Sequence, residues 1–215
     1  LIIMTVGMST IAGSVMVVYT TMLMPMYGPG LIGHFLSASL ISVPAGIMFA
    51  SMIIPSNEKT DFPEEKSEDM YSSIMDALTQ GTSNGLQIFL NVIAMLIVVM
   101  AIVFLINSSL GLLPLLNGQQ ITLELILGYL FSPLAWFMGI PWSESIMAGQ
   151  LLGVKTALNE FVAYLYLSDT ETYQLSEKSR LIMLYALCGF ANFSSVGILL
   201  SGMSAMVPER RMDLI

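Results

Sequence analysis

The sequence predicts an all-helical membrane protein that contains transmembrane helices, a re-entrant helical hairpin and two broken helices. Hydrophobic residues make up 55% of the 215-residue chain and charged residues only 10%, whereas an ordinary soluble domain carries about 25% charged residues. Two apolar runs, residues 31–54 and 86–106, are long enough to cross a bilayer, which takes roughly 20 residues. Polar strings interrupt the other apolar segments, where they would be costly in lipid.

The net charge of −8 is concentrated in one stretch between Glu58 and Asp76, where carboxylates outnumber lysines. We interpret this stretch as a solvated connection, because runs of like charge are usually exposed to water. No basic patch occurs that would indicate binding of nucleic acid. The chain begins at Leu1 without an initiator methionine, and we expect it to be part of a longer polypeptide.

The first two elements are a broken helix at residues 1–21 and a span at residues 31–54. Ser9, Thr10 and Gly13 fall in the middle of the first segment, where small and hydroxyl residues weaken a helix and free its carbonyl groups. A turn rich in proline and glycine separates the two elements. We expect the span to bend at its internal proline.

The middle of the chain predicts a scaffold helix followed by an interfacial helix. Residues 86–106 are the most uniformly apolar run, which indicates a helix that faces lipid or another subunit. Residues 121–139 are apolar with a proline inside, and we expect them to lie in the membrane interface or to dip into the membrane. Tyr129, Trp136 and Trp142 fit the aromatic belt at the lipid boundary.

The last two elements are a re-entrant hairpin at residues 141–167 and a second broken helix at residues 175–206. The hairpin consists of two short pieces that meet at Asn159-Glu160, and the first is too polar for an ordinary span. Re-entrant backbone is tolerated only where protein or a water-filled cavity covers it. The second broken helix is interrupted at residues 189–195, which include Asn192.

Broken helices and a re-entrant hairpin together indicate the binding site of a secondary transporter, because free half-helix ends near the midplane face substrate and ion. Glu160 is the strongest candidate, since an ionisable group at that depth needs a partner. Asn159 could contact substrate or only cap a half-helix. Lys155 could pair with Glu144, reach the interface or contact substrate. Ser194 could bond back to a helix carbonyl.

Two other classes of function have less support from the residues. An intramembrane hydrolase needs a nucleophile beside a base, and His34 is far along the chain from Ser194 and Ser195. Glu160 has no second acid in its string for general acid and base chemistry. A channel or a non-transporting subunit would favour rings of carbonyls or charges around a continuous pore. We therefore predict no catalytic residue and no organic cofactor.

Several strings resemble the concentrative nucleoside transporter family, which includes the bacterial nucleoside permeases. They occur in the family's order over essentially the whole chain, and the strings at 159–164 and 188–192 are specific when they occur together. The matching strings are Ser9-Thr10-Ile11-Ala12-Gly13-Ser14-Val15, residues 149–156, Asn159-Glu160-Phe161-Val162-Ala163-Tyr164, Ala186 to Ser195 with Cys188-Gly189-Phe190-Ala191-Asn192, and residues 207–211.

The resemblance implies a multi-pass protein of the cell membrane that works as a cation-coupled nucleoside symporter. Sodium or protons would drive it, as a homotrimer, by an elevator-type alternating-access mechanism. Residues 86–106 would belong to the static scaffold, and the hairpin and the broken helices would move as the carrier. The chain would be a C-terminal-half fragment that lacks the family's first hairpin and last helix.

The resemblance also implies the residues of the site. Glu160 and Asn192 match residues that bind the ribose, and a carboxylate suits vicinal hydroxyls because it accepts two donors at once. Thr10 and Ile11 match positions that give oxygen ligands to a sodium ion, as a partial metal site, and they leave the choice between sodium and protons open. The implied substrate contacts are Val15, Asn159, Glu160, Phe190, Asn192 and Ser195.

Overall fold

The computed structural model describes residues 2–55, 72–115, 118 and 120–206, and its regular secondary structure in those ranges is helical throughout. The all-helical class that the sequence predicts is therefore confirmed. Most of the acidic stretch and the string at 207–211 lie outside the described residues. The helices are α1 (Ile2–Gly7), α2 (Gly13–Tyr27), α3 (Leu31–Ile53), α4 (Ile74–Leu110), α5 (Leu123–Phe137), α6 (Trp142–Ala157), α7 (Glu160–Ser168), α8 (Glu177–Leu187) and α9 (Phe193–Met206).

The first broken helix consists of α1 and α2, with the interruption at residues 8–12. The sequence placed the end of this element at residue 21, and that boundary was wrong, because α2 continues through Pro25 to Tyr27. A proline so close to the end of a helix removes only one hydrogen bond from the ladder. The helix ends at Gly28, which adopts a φ of 70° that favours glycine.

The predicted scaffold span at 86–106 is the central part of a longer helix, α4, which has 37 residues. The first boundary that the sequence predicted for this span, residue 86, was also wrong, because α4 begins at Ile74. The Ser73 side chain accepts a hydrogen bond from the Asp76 N–H and caps the helix. The hydroxyls of Thr79 and Thr82 bond back to the carbonyls one turn earlier, so their polar groups are satisfied inside the helix.

Within the described part of the chain, two helices are long and apolar enough to cross a membrane, Leu31–Ile53 and Ile74–Leu110. Only 17% and 7% of their most apolar windows are buried inside the structure, so most of this apolar surface faces outwards. The core helix of a soluble protein would bury that surface against the rest of the fold. The outward-facing surface fits the predicted contact with lipid or with another subunit.

Helices α5 and α6 pack tightly against each other in antiparallel orientation through glycines. A methyl group built on Gly149 would overlap the Gly128 carbonyl oxygen, and one built on Gly153 would lie 2.6 Å from the Leu127 Cβ. The interfacial helix predicted at 121–139 therefore lies along the first arm of the hairpin. Its depth in the bilayer stays a prediction.

Helix α6 runs parallel to α8. Near the start of both helices, the Ser176 hydroxyl donates to Glu144 Oε2 over 3.0 Å. Near their ends, Lys155 Nζ donates to the Ala186 carbonyl oxygen over 2.8 Å. The Lys155–Glu144 pair, one of the alternatives that the sequence left open, is therefore wrong as a prediction. The two side chains bond to opposite ends of α8.

Helix α7 runs back in the opposite direction along α8. Tyr164 donates to the Leu184 carbonyl oxygen over 2.9 Å, whereas Glu160, one turn earlier, accepts from Asn192 beyond the end of α8. Because α6 is parallel to α8 and α7 is antiparallel to it, α6 and α7 form a hairpin with its tip at residues 158–159. The arms have 16 and 9 residues, about 24 and 14 Å, which is short of a bilayer core of about 30 Å. The predicted hairpin is thus present.

We predict that Gly149→Ala lowers the thermal unfolding midpoint of the full-length protein in detergent. The added methyl would meet two backbone atoms, the Gly128 carbonyl oxygen and the Ser132 nitrogen at 2.9 Å, and neither can move without its helix. Overpacking of this kind destabilises a protein by about 1–3 kcal/mol. Gly33→Ala in α3 is the matched control, because a methyl there meets no atom within 4 Å. Equal midpoints for the two variants would contradict this account of the α5–α6 contact.

Candidate functional site

The two helix breaks and the tip of the hairpin meet in one place. Gly189, in the break between α8 and α9, has a φ of 133°, and a methyl group there would lie 3.0 Å from the Ser9 carbonyl oxygen in the break between α1 and α2. The close approach and the positive φ both require glycine. The hairpin tip joins the same region, because Glu160 bonds to Asn192.

Glu160 is the centre of this junction. It is the first residue of α7 and only 2% exposed. Its Oε1 accepts from the Tyr19 hydroxyl of α2 over 2.8 Å, and its Oε2 accepts from Asn192 Nδ2 over 2.9 Å. A buried carboxylate needs such partners to offset its desolvation. The carboxylate therefore connects the first broken helix, the hairpin and the second broken helix.

Asn192 links this carboxylate to the start of α9. Its side-chain oxygen accepts from the Ser195 N–H over 2.7 Å, which satisfies one of the free donors of the first helical turn. Both residues are 4% exposed. Asn192 thus has its donor on Glu160 and its acceptor on a helix end, so its amide orientation is set from both sides.

A cleft of about 260 Å³ lies between the break after α1 and the start of α9. Four of the predicted site residues line it, two from each broken helix. Glu160 and Asn192 are buried and do not line it, but Asn192 bonds to both Glu160 and the Ser195 N–H. The ladder of α2 begins with the bond from Met16 to Ala12, so the carbonyls just before it are not used by that helix. The predicted residues in the lining are Thr10, Ile11, Phe190 and Ser195.

The structure places the other candidate residues around this junction. Asn159 Oδ1 accepts from the Val162 N–H over 2.9 Å and caps α7, which is one of the two roles that the sequence left open. Val15 is half-buried and packs against the core. Ser194 Oγ is buried without a hydrogen-bond partner among the described residues, so the expected bond to a helix carbonyl is wrong.

Tyr19 was not among the residues predicted from the sequence. Its side chain is 1% exposed, and its ring centroid lies 4.8 Å from that of Tyr164. A weak signal was available, because Tyr19 follows Val15 by four residues and so shares its helix face. A buried tyrosine hydroxyl also needs a partner, and Glu160 was a candidate for one.

The chain matches a known family. Residues 34–215 match the family described as the C-terminus of the Na⁺-dependent nucleoside transporters. The chain is 42% identical to the uncharacterized transporter YutK of Bacillus subtilis over 99% of this chain and 52% of YutK. It is 40% identical to the nucleoside permease NupC of Helicobacter pylori, over 99% of this chain and 50% of NupC. The human solute carrier family 28 member 3 is 35% identical over 99% of this chain and 33% of its own length.

Solved structures agree with these relatives. The chain superimposes on CNTnw in an inward-facing substrate-bound state with a TM-score of 0.75 and 38% identity, over 99% of this chain and 50% of CNTnw. A CNTnw variant in its intermediate 3 state gives a TM-score of 0.79 and 36% identity, over 99% and 51% of the two chains. The chain thus spans about half the length of these bacterial relatives. The resemblance seen in its motifs is confirmed, and the chain belongs to the concentrative nucleoside transporter family.

Proposed function

We propose that the full-length protein is a cation-coupled nucleoside symporter of the cell membrane. The observation that carries this proposal is the buried Glu160 carboxylate, which is held by Tyr19 and Asn192 where both broken helices and the hairpin tip meet. A buried carboxylate that is linked through Asn192 to Ser195 in the cleft lining suits a neutral substrate with several hydroxyl groups. A nucleoside is such a substrate, because its ribose carries several hydroxyl groups.

The Glu160 carboxylate has acceptor positions left for the ribose. An ionised carboxylate offers roughly four acceptor positions, of which Tyr19 and Asn192 occupy one on each oxygen. The remaining positions can accept the vicinal hydroxyls of the ribose. Phe190, in the lining of the cleft, offers an aromatic face to the base. Ser195 in the same cleft adds a hydroxyl, and Val15 on the α2 face of Tyr19 adds an apolar contact.

The break between α1 and α2 supports a sodium site. Thr10 and Ile11 line the cleft and lie between the two helical ladders, so carbonyl oxygens and one hydroxyl are at hand for a hard cation. Protons are the alternative coupling ion. Either ion drives uptake only if ion and nucleoside bind more tightly together than separately.

We also propose that the junction moves as one carrier in an elevator-type cycle. Side-chain hydrogen bonds join α2 to α7 and join α6 and α7 to the second broken helix, which supports movement as a unit. Helix α4 exposes most of its apolar surface and suits a static scaffold in a homotrimer. Lipid and neighbouring subunits would cover that surface.

The proposed function predicts saturable uptake of labelled uridine or adenosine by the full-length protein in proteoliposomes. We expect uptake with an imposed sodium gradient or an imposed proton gradient, and none without a gradient. The two gradients are applied separately, so the result also identifies the coupling ion. Non-saturating flux would indicate a channel, and the absence of uptake by folded protein would overturn the assignment.

We predict that Glu160→Gln lowers the uptake rate at subsaturating nucleoside by roughly 10- to 100-fold. The amide cannot accept on both sides, and hydrogen bonds to a charged group contribute about 1.5–3 kcal/mol. Glu171→Gln is the matched control, because Glu171 is an exposed carboxylate in the loop after α7. Uptake by the Glu160 variant within twofold of the control, at equal expression, would contradict the role of Glu160.

We predict that Thr10→Val raises the sodium concentration for half-maximal uptake several-fold. Valine keeps the shape of threonine but removes one oxygen ligand, and oxygen ligands are what a hard cation requires. Thr21→Val is the control, because the Thr21 hydroxyl bonds to the Val17 carbonyl on an exposed face of α2. An unchanged sodium dependence would place the ion elsewhere or leave protons as the coupling ion.

A further inference from the structure

We propose that Tyr19 is a positioning residue, which orients the Glu160 carboxylate for the ribose without touching the substrate. This inference rests on the proposed function. The Tyr19 hydroxyl donates to Glu160 Oε1 over 2.8 Å, across 141 residues of sequence. The family resemblance implies ribose-binding roles for Glu160 and Asn192 and none for Tyr19, so it does not account for this contact.

The packing of Tyr19 and its bond to Glu160 indicate positioning, not direct contact with the substrate. The Tyr19 side chain is 1% exposed. The ring lies among other aromatic rings, with centroid distances of 4.8 Å to Tyr164, 6.3 Å to Phe35 and 6.2 Å to Phe161. This packing holds the hydroxyl in one place against Glu160 Oε1, and the single O–H donor of Tyr19 is already used there.

The carboxylate needs a second anchor for a geometrical reason. The terminal torsion of a glutamate side chain has a broad, two-fold energy profile, so a single hydrogen bond leaves the carboxylate plane free to rotate. Asn192 holds Oε2 and Tyr19 holds Oε1. Two bonds on two different oxygens set the plane, and the unused acceptor positions then point in a defined direction. Preorganisation of this kind strengthens binding by reducing the ordering required of the site.

The test is Tyr19→Phe in the full-length protein, with uridine affinity and uridine uptake measured on the same preparation. Phenylalanine keeps the packed ring and removes only the hydroxyl. We expect the Kd and KM for uridine to rise roughly tenfold, because the carboxylate plane must then be ordered when the ribose binds, while Vmax stays within twofold. Tyr27→Phe is the matched control, because the Tyr27 hydroxyl also lies on α2 but donates to the Arg180 carbonyl.

A double-mutant cycle shows whether Tyr19 acts through Glu160. In a Glu160→Gln background, Tyr19→Phe should change the uridine Kd by less than twofold. In otherwise wild-type protein, Tyr19→Phe should weaken binding of a 2′,3′-dideoxynucleoside much less than binding of uridine. The dideoxynucleoside lacks the two ribose hydroxyls that would donate to the Glu160 carboxylate. A purely structural role for Tyr19 would weaken both ligands equally.

Three outcomes would overturn the inference. One is an unchanged uridine Kd in Tyr19→Phe, and another is an effect of the same size in the Glu160→Gln background. The third is failure of Tyr19→Phe to fold while Tyr27→Phe folds, since the hydroxyl would then serve stability. The failure of the proposed function is distinguishable, because wild-type protein would then show no nucleoside uptake at all.

Discussion

The buried carboxylate of Glu160 is the constraint on which the rest of the structure depends. A charge that is 2% exposed in a chain of this composition requires hydrogen-bond donors from the protein. Those donors come from α2 and from the break after α8, so the carboxylate is satisfied only when the hairpin tip and both broken helices are together. The cleft lined by Thr10 and Phe190 lies between the two breaks that meet here.

Side chains at this junction form hydrogen bonds with the free backbone groups of the helix ends. Each interruption frees backbone groups that water cannot reach in a bilayer. Asn192 accepts from the first turn of α9, Asn159 caps α7, and Lys155 donates to the carbonyl of Ala186 at the end of α8. The same side chains thus stabilise the breaks and tie neighbouring elements together, which explains how irregular backbone persists within apolar segments.

Much of the fold could be predicted because its physical causes are local. Small and hydroxyl residues near Thr10, and the polar string around Asn192, weaken a helix wherever they occur, so both breaks could be predicted. The second break covers residues 188–192, and residues 193–195, which were predicted to belong to it, are part of α9. Helix ends were harder to place. Helix α4 begins at Ile74 because the Ser73 side chain caps it, and α2 passes through Pro25 because that residue lies in its last turn. Such contacts depend on side-chain geometry that periodicity does not encode.

The sequence by itself determined the membrane class, the hairpin, the two breaks and the family. The membrane class follows from composition, and each of the others follows from short runs of residues. It also identified Glu160, since an ionisable side chain within an apolar segment needs a partner. Only the tertiary structure decided which partner. Tyr19 lies 141 residues from Glu160, and only packing brings the two together. Tertiary packing likewise directed Lys155 to Ala186 instead of Glu144, because a long side chain bonds to whichever carbonyl the neighbouring helix end leaves free.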